Sequence, residues 1–365
     1  MKTHLNNTRG FSLVELMIAL VLGVVVIGGS VSIFTGVIRS SNLNQAVSNL
    51  QSNGRFVMDL IGRDIRAAGH VGCVSQQAAT FNVGVNNPPV SSLTDSSISG
   101  YVVGETTWSP SLPLSYTAPT GVGKPVAGTH ALSIQYASSP GLFLDSSMAS
   151  RSADIVAKKN AAVSLSQGDL MVVSDCSSVD LMSINSISTT GTKTTITPNA
   201  ALTKNYATST MFPESTQVMP YVSVIYYIGD TQRTTQSGKK VLGLFSHNFP
   251  YTAANPPVEL IDGVDQLVVQ FGIRKNDGSL YYLKPGDSGY SAAAVETVRL
   301  GVLLTSFERF SEVDESRAFT LAGLSVTALA GSTTATGSAT SLTYTSDKRM
   351  RMPFNATLHV RNRSL

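Results

Sequence analysis

The feature that most constrains this chain is an uninterrupted apolar run near its N-terminus, at residues 11–38. The run reads FSLVELMIALVLGVVVIGGSVSIFTGVI, with no proline and a single charge at Glu15. As a helix it would be about 42 Å long at 1.5 Å per residue, which exceeds the hydrocarbon core of a bilayer, about 30 Å. Lys2 and Arg9 precede the run, so we expect the short leader to stay in the cytoplasm and the rest of the chain to be exported.

Composition supports an exported, β-rich domain after this segment. Charged residues make up 13% of the 365 residues, about half of the usual share. The net charge is +3, and Lys2 and Arg9 lie in the leader, so the remainder carries no basic field of the kind that nucleic acids require. We therefore expect no nucleic acid partner.

Glu15 is an ionisable group close to the start of a membrane segment. A carboxylate there costs on the order of a few kcal/mol and needs a partner. If the chain were cut between Gly10 and Phe11, the new α-amino group would lie one helical turn from Glu15 and could compensate its charge. An incidental buried carboxylate is the alternative. An ordinary secretory signal fits less well, because the run is too long and no small-residue cleavage site closes it.

The segment Arg9-Gly10-Phe11-Ser12-Leu13-Val14-Glu15-Leu16-Met17-Ile18-Ala19-Leu20 resembles the class III signal of type IV prepilins and type II secretion pseudopilins. The resemblance implies that a prepilin peptidase removes residues 1–10 and that the amine of Phe11 is N-methylated. It also implies that Glu15 pairs with the N-terminal amine of an adjacent subunit during assembly.

The helix is expected to continue past the membrane over residues 39–68. Apolar residues recur there mostly three, four or seven positions apart and predict a stripe that packs on a globular head: Leu43, Val47, Leu50, Val57, Ile61 and Ile65. Gly69 and Gly72 are the predicted stop. Within the membrane part, Gly28 and Gly29 are adjacent and weaken the helix. They predict either a point of unwinding in the filament or close helix packing through small residues.

From residue 69 to 365 we predict a β-rich head, as one domain or two subdomains. Short runs rich in Val, Ile, Leu, Thr and Tyr indicate strands: residues 131–136, 169–174, 193–197, 221–228, 266–273, 297–305 and 357–360. Asn276-Asp277-Gly278 predicts a hairpin turn. A calcium loop is the alternative there, but Arg274 and Lys275 argue against a divalent cation. The predicted class is therefore α+β, a long N-terminal helix packed on a sheet-rich head.

The C-terminal half resembles PilW-type minor pilins. The likeness rests on an ordered series of segments: Glu259 to Val264, Leu267 to Phe271, Val298 to Leu304, Arg351 to Phe354 and Leu358 to Asn362. The resemblance implies a minor pilin of a priming complex that starts pilus assembly, caps the tip and supports adhesion and twitching motility. Its implied partners are prepilin peptidase, other minor pilins, the major pilin, a tip adhesin and the inner membrane. The implied location is the inner membrane of a Gram-negative bacterium with the head in the periplasm, and then the pilus.

Two other functions share the same anchor. A minor pseudopilin J of type II secretion has a similar leader, and a ligand-binding or DNA-uptake pilin would use the same helix. The near-neutral head argues against DNA.

Cys73 and Cys176 are the only cysteines, and their spacing indicates no metal site. By themselves they allow one disulfide or two free thiols. The periplasmic location implied by the resemblance favours a Cys73–Cys176 disulfide, because that compartment is oxidising.

The sequence carries no GxSxG elbow, HExxH zinc pair or P-loop. We therefore expect no catalytic residue, no metal, no cofactor and no enzymatic activity.

Overall fold

In the computed structural model of the chain, the described residues are 12–74, 80–85, 88–89, 97–105, 107–112, 116–209, 211, 215–250, 255–275, 277–311, 313–329 and 342–363. These residues form one long helix, α1 (Leu13–Ala67), followed by β-strands and by two 3₁₀ turns at Ala292–Ala294 and Arg361–Arg363. The predicted α+β class is confirmed.

The chain divides into two compact units, Met1–Ser52 and Asn53–Leu365. The last turns of α1 belong to the second unit, the head. Val57, Ile61 and Ile65 are fully buried there, which confirms the predicted apolar stripe for this part of the helix. α1 ends at Ala67, and Gly69 follows with a φ of 75°, a left-handed conformation that suits glycine.

The largest sheet is built from the first thirteen strands. They are β1 (Thr80–Val83), β2 (Ile98–Val103), β3 (Trp108–Ser109), β4 (Lys124–Pro125), β5 (His130–Ala137), β6 (Leu142–Phe143), β7 (Ile155–Lys158), β8 (Leu170–Asp175), β9 (Ser178–Thr190), β10 (Lys193–Pro198), β11 (Gln217–Thr234), β12 (Lys240–Asn248) and β13 (Val258–Asp262). Its main order is β3-β2-β5-β11-β8-β9-β10-β7. The long strand β11 connects the two parts of this sheet, because residues 217–220 pair with β8 and residues 221–227 pair with β5.

Both faces of the central strands are buried. Met171 and Val173 of β8 pack in one apolar cluster with Ile184 and Val218. Their neighbours Leu170 and Val172 pack in another cluster, with Val71 and Tyr221 among its members. This alternation follows from the two-residue period of a strand, and it explains why β8 reads as a continuous apolar run.

Two smaller sheets complete the head. The first is antiparallel, with the order β15-β14-β16-β20, and consists of β14 (Val264–Arg274), β15 (Leu280–Leu283), β16 (Val295–Arg309) and β20 (Arg349–His359). The second has the order β17-β18-β19 and consists of β17 (Phe319–Leu321), β18 (Leu324–Leu329) and β19 (Thr343–Thr345).

Each of the seven predicted strand segments overlaps a strand of the structure, namely β5, β8, β10, β11, β14, β16 and β20. The predicted hairpin is the β14–β15 pair, in which Phe271 lies opposite Leu283 and Arg274 opposite Leu280. Asp277 and Gly278 lie between these strands, and Gly278 has a φ of 82°. Asn276 lies outside the described residues.

Candidate functional site

The N-terminal end of α1 carries the first candidate group. Glu15 lies in the first helical turn with its side chain exposed, and the Ser12 N–H donates a hydrogen bond to Glu15 Oε2 at 3.4 Å. A carboxylate at this end is also favoured by the helix dipole. Gly10 and Phe11 lie outside the described residues, so cleavage and methylation there stay predictions.

The first half of α1 presents its apolar side chains outward. From Leu13 to Val37 the large apolar residues are between 55% and 77% exposed. Among the described residues, α1 is the one helix that is long and apolar enough to cross a membrane. Two of its hydroxyl groups bond within the helix: Ser30 donates to the Val26 carbonyl at 2.8 Å, and Thr35 donates to the Ser32 carbonyl at 3.0 Å. Such internal bonds suit an apolar solvent, where a free hydroxyl would be costly.

The helix passes through Gly28 and Gly29 without a break. A methyl group added at either glycine would meet no atom of the chain within 4 Å. The roles predicted for the pair, unwinding or close packing in a filament, stay predictions.

At the other end of α1, a buried carboxylate anchors the helix to the head. The Asp64 side chain is only 5% exposed. It accepts hydrogen bonds from the Tyr136 hydroxyl of β5 at 3.1 Å and from the Tyr226 hydroxyl of β11 at 2.6 Å, and Arg63 Nε lies 3.5 Å away. Burial and the Asp64 carboxylate raise the pKa of both phenols, so both remain protonated donors. Charged hydrogen bonds in such surroundings are the stronger kind.

Asn362 covers the C-terminal end of α1. The Asn362 side-chain amide donates to the carbonyls of Ala67 at 3.2 Å and Ala68 at 3.1 Å. The Gly69 N–H donates to the Gln135 carbonyl of β5 at 2.9 Å. Carbonyl groups at a helix C-terminus have no intrahelical partner, so these contacts satisfy groups that would otherwise be left unpaired.

Two glycines let strand β20 lie close to the helix. A methyl group added at Gly54 would overlap the ring of Phe354, so the ring occupies the space that a side chain would need. At Gly62 the same methyl group would lie 3.5 Å from Leu358 Cδ1, an ordinary contact. The helix and β20 therefore pack together through one tight position and one looser position.

The predicted disulfide is confirmed. Cys73 lies just after α1 and bonds Cys176 in the turn between β8 and β9, with a Cα–Cα distance of 5.0 Å and a sequence separation of 103. A loop of this length gives about 4 to 5 kcal/mol of stabilisation in the chain-entropy model. The bond fixes the segment after the helix to the large sheet.

A cleft of about 390 Å³ is lined by residues of β4, β11, β12, β14, β19 and β20. The cleft is lined by both acidic and basic side chains, and most of them lie close to a side chain of opposite charge. Lys240 Nζ lies 2.7 Å from Asp230 Oδ2, and at the inner end Arg349 Nη2 lies 3.9 Å from Asp265 Oδ1. Because the opposite charges compensate each other locally, the cleft shows no preference for an anionic or a cationic ligand.

His130 and Asp277 both have structural partners. His130 Nδ1 lies 3.1 Å from the Val269 nitrogen inside the head, and Asp277 accepts two hydrogen bonds from Ser279, as a turn residue does. Among the described residues, no group of three or more His, Cys, Asp or Glu side chains could hold a metal ion.

The contacts of Asp64 with Tyr136 and Tyr226 could not be predicted from the sequence. Asp64 lies beside Ile61 and Ile65, which are buried positions of the apolar stripe. An acidic residue next to such a stripe is the one local feature that indicates a buried polar contact. Its partners Tyr136 and Tyr226 come from distant strands, so no local pattern could identify them.

Comparison with protein families gives two matches. Residues 225–362 match the model of the family Type IV Pilus-assembly protein W, and residues 5–31 match the Prokaryotic N-terminal methylation motif. No curated protein and no solved structure matches the chain. Proteins of pilin-type families are structural rather than catalytic. The resemblance to PilW-type pilus-assembly proteins is thus confirmed over residues 225–362, together with the prepilin-like motif at the N-terminus.

Proposed function

We propose that this protein is a minor pilin that helps to start type IV pilus assembly, as part of a minor-pilin complex at the filament tip. One observation carries the proposal: a pilus-assembly family match and a prepilin methylation motif occur in the same chain. The apolar, outward-facing first half of α1 supports it, because such a helix suits both a bilayer and a bundle of pilin helices.

The processing and assembly residues follow from the N-terminal motif. Prepilin peptidase cuts between Gly10 and Phe11 and the new amine is methylated, and Glu15 then pairs with that amine on a neighbouring subunit. Residues 1–10 form the leader, 11–38 the membrane and filament segment, 39–68 the amphipathic continuation and 69–365 the head. Any unwinding of the helix in the filament centres on Gly28 and Gly29.

The partners of this protein are the prepilin peptidase, other minor pilins, the major pilin and a tip adhesin. Before assembly the protein is anchored in the inner membrane of a Gram-negative bacterium with its head in the periplasm, and afterwards it lies in the pilus. It has no enzymatic activity, no cofactor and no nucleic acid partner.

A second candidate is a minor pseudopilin of a type II secretion system, because the methylation motif by itself does not separate the two systems. Deleting the gene separates them. Loss of surface pili and twitching with normal secretion of folded exoproteins supports the pilus. Loss of secretion with normal pili supports the pseudopilin.

The role of Glu15 can be tested with Glu15→Ala as the sole copy. The variant should insert and be cleaved normally but assemble poorly, because the amine of the neighbouring subunit loses its counter-charge. Glu105→Ala removes an exposed carboxylate of the head and is the matched control, with normal pilus numbers expected. Normal pilus numbers with Glu15→Ala would contradict the assigned role.

A further inference from the structure

The inner end of the cleft holds a buried arginine whose terminal nitrogens have no hydrogen-bond acceptor. The Arg349 side chain is 5% exposed and lines the cleft. Its Nε donates to Asp347 Oδ2 at 2.7 Å. Nη1 and Nη2 make no hydrogen bond to any described residue, because Asp265 Oδ1, which also belongs to the cleft lining, lies 3.9 Å from Nη2 and is too far to accept one. We call these two nitrogens the fork of Arg349.

The neighbouring arginine shows that this lack of acceptors is particular to Arg349. The Arg351 side chain is 0% exposed, so it is at least as deeply buried. Its Nε donates to Asp265 Oδ2 at 2.8 Å, its Nη1 lies 2.9 Å from Asp347 Oδ1 and its Nη2 donates to the Thr345 carbonyl at 2.7 Å. Each nitrogen of the Arg351 guanidinium therefore has an acceptor, whereas Arg349 has one for its Nε alone.

A guanidinium with both terminal nitrogens unbonded suits one kind of group in particular. The two nitrogens lie in one plane and match the spacing of the two oxygens of a carboxylate, which they bind through parallel hydrogen bonds. The fork is also positioned in advance, because the bond to Asp347 fixes the other side of the guanidinium. A ligand that supplies two oxygens would satisfy donors that burial otherwise leaves unpaired.

The charges around the cleft allow a single carboxylate to enter. Outside the ion pairs of the described residues, the charged side chains of the lining are Lys124, Lys239 and Glu105. These charges nearly compensate each other, so the overall field favours neither sign and the fork selects the bound group. The two lysines outnumber the one glutamate and can balance the charge that a carboxylate brings.

The remaining lining of the cleft is largely apolar. It includes Pro125, Val126, Ala127, Leu242 and Tyr344. The volume of about 390 Å³ lies at the lower end of the range for small-ligand sites, about 300–1,000 Å³. A ligand that carries an apolar group beside its carboxylate therefore fits both the fork and the apolar wall.

We propose that the cleft binds a carboxylate with an adjacent apolar group, and that the fork of Arg349 holds the two oxygens. Two kinds of molecule carry this chemistry, namely the C-terminal residue of a partner polypeptide and a small branched organic acid. The inference does not depend on the proposed function, since all lining residues of the cleft belong to the head.

The test measures dissociation constants for three probes by saturation-transfer NMR, with the full-length protein in non-ionic detergent at neutral pH. N-acetylleucine represents a C-terminal residue. 4-Methylpentanoate has the same side chain and carboxylate without the peptide group, and N-acetylleucinamide has no carboxylate.

Two variants change the cleft in different ways. Arg349→Lys keeps the positive charge and removes the fork. Ala127→Leu places a larger side chain at a half-buried position of the apolar wall without touching the buried charges. Ala161→Leu is the matched control, because Ala161 is exposed and is not part of the cleft lining. Urea unfolding of each variant shows whether it is folded.

We expect at least one of the two acids to bind about tenfold more tightly than the amide, and Arg349→Lys to weaken that binding by about tenfold. Ala127→Leu should weaken it as well, and Ala161→Leu should bind as the wild type does. Binding of N-acetylleucine alone supports a polypeptide C-terminus as the ligand, and equal binding of both acids supports a small organic acid. If neither acid binds better than the amide, the inference is overturned. Wild-type binding by Ala127→Leu would also overturn it, even if Arg349→Lys does not fold.

Discussion

We expect His130 to make the free energy of unfolding of the head depend on pH. The side chain is 2% exposed, and Nδ1 lies 3.1 Å from the nitrogen and 3.2 Å from the carbonyl oxygen of Val269. The neutral ring accepts a hydrogen bond from the Val269 N–H, whereas a charged ring would lose that bond. Burial is the main cause that lowers the pKa of His130 from 6.5 to about 4; the Val269 carbonyl opposes this shift.

The sign of the effect follows from proton binding. Between pH 6.5 and about 4 the unfolded chain binds this proton and the folded chain does not. The free energy of unfolding therefore has its full value above pH 6.5 and decreases as the pH is lowered through this window. Across the whole window, the free energy of unfolding decreases by about 3 kcal/mol because of this group. Between pH 7 and pH 4.5 the free energy of unfolding decreases by about 2 kcal/mol because of this group alone.

The matched variant is His130→Asn, because the asparagine Oδ1 can still accept the Val269 N–H and does not titrate. Urea unfolding of the full-length protein in non-ionic detergent, followed by the fluorescence of Trp108, gives the free energy of unfolding at both pH values. On going from pH 7 to pH 4.5, the free energy of unfolding of the wild type should decrease by about 2 kcal/mol more than that of the variant. Equal losses in the two proteins would refute the reasoning. His70 and His247, whose pKa values are also lowered by burial, are present in both proteins and cancel in the comparison.

Three further experiments test the contacts that hold α1 and the segment after it in the head. Cys176→Ser should lower the free energy of unfolding by about 4 to 5 kcal/mol under oxidising conditions, and an unchanged urea midpoint would contradict this. Gly54→Ala should be less stable than Gly62→Ala by about 1 to 3 kcal/mol, because only the first overlaps a ring; thermal midpoints compare them, and equal values would count against the packing. Tyr226→Phe removes the 2.6 Å bond to Asp64 and should cost about 1.5 to 3 kcal/mol in urea unfolding. A loss near zero would mean that the buried carboxylate finds another donor.

The elements that the sequence predicts well are those whose signal is local. The stripe of Val57, Ile61 and Ile65 repeats at the period of a helix, and the apolar runs of β14 and β16 are long enough to identify as strands. The hairpin after β14 follows from the turn residues Asp277 and Gly278.

The elements that the sequence does not predict depend on distant partners. β4 and β6 are only two residues long, and each exists because it pairs with the long strand β11. The role of Gly54 is likewise hidden, because the ring that fills its space belongs to Phe354. The disulfide could be inferred because the chain has only two cysteines and because the resemblance to exported pilins implies an oxidising compartment.

The order of synthesis gives the Asn362 contact a particular consequence. α1 is made first, yet its carbonyls at Ala67 and Ala68 receive their side-chain donor from a residue almost 300 positions later, at a separation of 295 from Ala67. Strand β20, which supplies Phe354 and Leu358, is likewise made about 300 residues after the part of α1 that it contacts. The contacts of Phe354, Leu358 and Asn362 with the helix therefore form only after residue 362 has been synthesised, and a subunit truncated before Phe354 would fold with this part of its helix uncovered.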